Sequence, residues 1–70
     1  MEWHTVDNLP TFYGIKKRSK KTIYVEIMLR DERRETACFV QNEDGTIYAD
    51  TGYCTVDIKD IVKWRNIELF

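Results

Sequence analysis

Seventy residues with 43% hydrophobic and 13% aromatic content hold enough apolar mass for a packed core, which excludes a disordered chain. The longest apolar run is short and broken by charge, which excludes a membrane-spanning helix. A net charge of −1 excludes the overall basic field that most nucleic-acid-binding domains carry. Residues 1–70 read as one small domain, and a core of this size rarely supplies more than about 3–5 kcal/mol.

After Met1 and Glu2 the chain reads "WHTVDNLP", and its only other tryptophan, Trp64, stands near the opposite end. Terminal segments fray unless tied down, so two terminal indoles predict that both ends join one core. Trp3 and Leu9 are expected to cap the open end of a sheet. Pro10 stops pairing there, because it has no N–H to give a ladder. A basic connection, "IKKRSKK", follows at residues 15–21.

"TIYVEIMLR" (22–30) is the clearest strand: Ile23, Val25, Ile27 and Leu29 alternate with Tyr24, Glu26, Met28 and Arg30. The wholly charged "RDERRE" suits a solvated hairpin connection. "TACFVQ" (36–41) reads as a second strand, its alternation blurred by the neighbours Phe39 and Val40. "NEDGT" is a turn, since Asp44-Gly45 tolerates the positive φ angles of a tight hairpin. "TIYAD" gives a third short strand and "TGY" another turn at Gly52. In "DIKDIVKWR" a single helical turn is expected near Asp57–Ile61 with Asp57 as its N-cap, then a closing strand through Trp64 to Ile67. That strand is expected to return beside the first one and to bury Trp64.

The fold class is therefore mainly β: a small antiparallel meander rolled into a sheet or an SH3-like barrel, with at most one short helical turn. An α+β sheet with one C-terminal helix is the alternative. Cys38 and Cys54 lack metal-site spacing and read as reduced, buried thiols, with a bridge between facing strands as the alternative. No apolar stretch follows a basic start, so no secretory leader is expected and the cytoplasm is the expected compartment.

The spacing Trp3-x-x-Val6-x-x-Leu9-Pro10 resembles the opening of the Domain of Unknown Function five-five-one family of short phage and prophage proteins. "TIYVEI" stands where that family has its alternating strand, "EDGTIY" where it has a glycine hairpin, and "DIVKWRNIE" at its closing tryptophan segment. The closing prolines are missing, Arg65-Asn66 taking their place, and the stretch before the first strand is long. The resemblance implies a phage-encoded accessory protein acting in the host cytoplasm, with no established activity.

Charge is unevenly placed. Residues 16–34 carry eight cations against three carboxylates, and residues 35–60 carry six carboxylates against one cation. Lys16, Lys17, Arg18, Lys20 and Lys21 form the densest basic stretch, with Phe12, Tyr13 and Tyr24 nearby for stacking. Tyr24 and Met28, on the outward side of the first strand, are residue types common at interfaces; Tyr53 and Phe70 are candidates to extend them. The acidic stretch "QNEDGTIYADTGY" could imitate phosphate charge. Catalysis is not expected: the one histidine, His4, has no placed nucleophile, Asp57 and Asp60 read as cap charges, and the glycines form no phosphate loop. No cofactor and no metal are expected.

The expected function is a non-enzymatic binding module that engages and modulates a host protein, with the basic residues for electrostatic contact and Tyr24 and Met28 as anchors. The alternatives are a nucleic-acid-binding protein using residues 16–21, and an oligomer that sequesters a small ligand. A homodimer is compatible with each, since a small sheet with a free edge gains from pairing.

Overall fold

A computed structural model describes residues 2–14 and 18–67. Within them the strands are β1 (His4–Thr5), β2 (Lys20–Lys21), β3 (Val25–Leu29), β4 (Arg34–Gln41), β5 (Ile47–Asp50), β6 (Thr55–Asp57) and β7 (Ile61–Asn66). The order across the sheet is β1-β7-β3-β4-β5-β6, all neighbours antiparallel, with β2 pairing on β4 beside the end of β3. The fold is mainly β, as the alternation predicts, and the sheet is open rather than closed into a barrel. The C-terminal helix of the alternative is absent among the described residues: a 3-10 turn, Ile58–Asp60, stands there, with the Asp57 carboxylate accepting from the Lys59 N–H at 3.1 Å.

The closing strand returns beside the first, with Ile27 opposite Trp64 and Glu26 opposite Arg65. It starts at Ile61, earlier than expected, directly after a 3-10 turn of three residues that joins β6 to β7 without reversing the chain, since both strands run opposite to β3. Ile61, opposite Leu29, is buried, whereas Val62, the extra residue where the register shifts between Met28 and Leu29, is 45% exposed.

The expected strand 22–30 divides. Lys21 pairs with Val40 and Val25 with Ala37, so three residues (22–24) face only two (38 and 39). One extra residue is a β-bulge, which bends the strand and re-aims side chains. Ile23 therefore does not join the inward row of Val25, Ile27 and Leu29, and both Ile23 and Tyr24 are exposed. Thr22 holds the bulge: its hydroxyl accepts from the Phe39 N–H at 2.9 Å and donates to the Ile23 carbonyl at 2.8 Å. Ala37 to Val40 are all buried, in the part of β4 that passes from pairing with β3 to pairing with β2 and has β5 along its other side.

Val25, Ile27, Leu29, Ala37, Phe39, Ala49, Ile61 and Trp64 form the core. Phe39 meets Trp64 edge to face, ring centroids 6.4 Å apart. The N-terminal segment seals the inner side of the sheet. Val6, Leu9 and Phe12 pack on the core, and the Trp64 indole N–H donates to the Asn8 carbonyl at 3.0 Å. Trp64 is a core residue, as expected. Trp3 is not: strand alternation places it on the opposite face from its neighbour His4, which stacks on Trp64 at 4.7 Å.

The "NEDGT" turn forms as expected, with the Gly45 N–H bonded to the Asn42 carbonyl at 2.9 Å and Gly45 at φ 89°. Asp44 accepts from both the hydroxyl and the N–H of Thr46, which hold its carboxyl below the usual range. The strands β1, β2 and β6 carry no sequence signal of their own; each is two or three residues long and is set by its longer neighbour.

Candidate interaction surface

Period-two alternation on three paired strands builds one outward face. The cross-strand register sets Thr5, Lys63, Met28 and Arg34 in one row, and Arg65, Glu26 and Thr36 in the next. Met28 sits half-buried between Lys63 and Arg34. Glu26 receives the Arg65 Nε–H at 2.7 Å and lies 4.0 Å from the Arg34 guanidinium. Trp3 closes the row: the Lys63 ammonium stands 4.9 Å and the Arg65 guanidinium 4.5 Å from its ring centre. An aromatic face attracts cations through its quadrupole, so Trp3 fixes both side chains where they are. Three cations against one carboxylate leave this face positive on a chain whose net charge is −1.

Val6, Leu9 and Phe12 of the N-terminal segment pack on the inner side of the sheet, while Trp3 reaches the outward one. Met28 is half-buried on this outward face and is no part of the core cluster. Tyr24 is 55% exposed and lies in the bulge at the entry to β3. Tyr53 does not extend the surface: its hydroxyl donates to Glu35 at 2.7 Å, and Glu35 lies in the inner-facing row opposite Ile27. Phe70, Lys16 and Lys17 lie outside the described residues.

The rest of the basic stretch is placed elsewhere. Lys21 is in the sheet, between Val40 on one side and Tyr13 on the other, with backbone bonds of 2.7 and 2.9 Å to Tyr13. Gly14 lets the two arms of the connection meet, since a Cβ there would stand 3.1 Å from the Lys20 Cα. Arg18 and Lys20 line a cleft of about 230 Å³ with Gln41, Asn42, Glu43 and Gly45. The cleft carries a carboxylate of its own, so the basic arm and the acidic hairpin share one site. Val40 stands six positions along β4 from Arg34, or about 20 Å of extended chain. The basic arm and Met28 are thus two regions at opposite ends of β4.

Sequence reasoning missed Trp3, Lys63, Arg65 and Arg34 as companions of Met28. The alternation of Val62 and Trp64 with Lys63 and Arg65 carried the signal, but only the register with β3 shows which residues share the Met28 face.

The two thiols differ, which corrects the expectation that both are buried: Cys38 is 4% exposed and Cys54 lies exposed on the turn after β5, both free. Burial, with Asp50 opposite, pushes the Cys38 thiol up, Lys21 opposing in part. Thiolate is the reactive form, so at pH 8 a thiol reagent is expected to modify Cys54 alone in the native protein and both thiols in denaturant. Two fast-reacting thiols in the native protein would contradict this packing.

Among the described residues, no three His, Cys, Asp or Glu side chains are grouped to hold a metal ion, and no helix is long and apolar enough to cross a membrane. No family model, curated protein or solved structure matches the chain.

Proposed function

We propose that this chain is a non-enzymatic binding module that engages another protein through the outward face of β7, β3 and β4. Its supporting observation is the half-buried Met28 set between Lys63 and Arg34, with Trp3, Arg65 and Glu26 in the adjoining row. An apolar centre with a charged rim is the usual anatomy of a protein interface. Taken with the resemblance carried by Trp3, Val6, Leu9 and Pro10, the reading is of a phage or prophage accessory protein that binds a host protein in the host cytoplasm and modulates it.

Nucleic-acid binding through Arg18, Lys20 and Lys21 is the weaker reading, because Glu43 lines the cleft with Arg18 and Lys20. Affinity capture from a nuclease-treated host lysate separates the two. Met28→Glu is expected to lose a stoichiometric protein that the wild type retains, with little change in Tm. The double variant Arg18→Glu/Lys20→Glu is expected to retain it. Capture that ends with nuclease treatment, or with the double variant alone, would overturn the proposal.

A further inference from the structure

We infer that the partner segment is acidic: it presents carboxylates on either side of an apolar side chain to the Arg34–Met28–Lys63 row. This inference rests on the binding-module reading and adds the chemistry of what is bound.

Three features of the face carry it. The first is spacing. Arg34 and Lys63 flank Met28 on the two neighbouring strands, so their backbones lie two strand separations apart, about 10 Å. An apolar side chain seated on Met28 then has one cation to each side of it. The second is order. The Lys63 ammonium and the Arg65 guanidinium both stand over the Trp3 ring, and Arg65 is held a second time by Glu26. Cations fixed before binding lose less side-chain freedom when a carboxylate arrives. Arg34, at 4.0 Å from Glu26 and with 56% of its side chain exposed, keeps donors free for an incoming group.

The third is the shape of the charge. Arg34, Lys63 and Arg65 exceed Glu26 by two charges on this face alone, while residues 35–60 hold six carboxylates against one cation. Across the strands the charge then changes sign, with Asp50 of β5 opposite Cys38 and Asp57 of β6 opposite Tyr48, so a long polyanion laid across the sheet from β7 would run from the positive face onto these carboxylates. A short acidic peptide segment ends within the face and meets only its attraction. Charge complementarity of this extent therefore favours a protein segment over a nucleic acid strand.

The test uses the full chain labelled with nitrogen-15 and two synthetic peptides, Glu-Ser-Leu-Ser-Glu and its neutral counterpart Gln-Ser-Leu-Ser-Gln, both capped. Titration is followed by amide shifts at an ionic strength of about 0.01 M, where screening extends over about 30 Å. The acidic peptide is expected to move the amides of Met28, Arg34, Lys63 and Arg65 and the Trp3 indole N–H. Lys63→Gln and Arg34→Gln are each expected to weaken it about three-fold. Arg18→Gln should leave the titration unchanged, and the neutral peptide should give no localised shifts. The inference is overturned if the acidic peptide shifts nothing, if both peptides act alike, or if a thymidine oligonucleotide moves the same amides at lower concentration. In the first two cases, a host protein still captured in a Met28-dependent way would leave the binding-module reading standing.

Discussion

Trp64→Ala is expected to leave the chain largely unfolded at 25 °C. The indole is 5% exposed, stacks on His4, meets Phe39 edge to face and donates to the Asn8 carbonyl. Truncating a buried aromatic costs about 3–5 kcal/mol, as much as a core this small provides in total, about 3–5 kcal/mol. Circular dichroism and urea titration read the result directly. Trp64→Phe keeps most of the apolar volume and loses the hydrogen bond, a change worth about 1 kcal/mol, so it is expected to fold with a lower midpoint and unchanged slope. A Trp64→Ala protein with a native melt would show that the indole is a surface group, and the tie between the two chain ends would fail.

Phe39→Ala is expected to be comparably severe, at about 3–5 kcal/mol, for a different reason. Phe39 is fully buried in the part of β4 where its pairing changes strands. Its backbone is bonded on one side to the Thr22 N–H and hydroxyl, while Ala49 faces it from β5. Removing the ring opens the core at the point where both halves of the sheet meet it, and little of the surrounding structure can collapse into the gap. Phe39→Leu, which keeps most of the apolar volume, is expected to fold with a smaller loss than Phe39→Ala. A cooperative melt for Phe39→Ala at wild-type temperature would contradict this placement of the core.

Much of this architecture is legible in the residues. Period two in Val25, Ile27 and Leu29, the Asp44-Gly45 turn and the Asp57 cap each act through neighbours in sequence, and each stands where local chemistry puts it. What was hidden depends on pairing. The bulge at residues 22–24 exists because Thr22 bonds to Phe39, seventeen positions away, and no periodicity along the strand announces it. β1 and β6 are too short to carry an alternating pattern. Trp3 looked like a core residue because an indole is large and apolar; one step of alternation from His4 put it instead beside Lys63 and Arg65.

The candidate surface was half legible for the same reason. Met28 was visible from its own strand, and Lys63 and Arg65 join it only through the β3–β7 register. The basic stretch 16–21 is dense in charge along the sequence, yet the described part of it enters the sheet edge and a cleft shared with Glu43. Charge density along a sequence does not report where the charge ends up in space.

The most direct test of the binding face is the same host-lysate capture run with a photo-crosslinking residue in place of Thr36, which is exposed on the outward face beside Glu26, and separately in place of Arg18. The account predicts that the retained protein becomes covalently attached from position 36 and not from position 18. Attachment from position 18 alone would move the binding site to the basic arm and contradict the account.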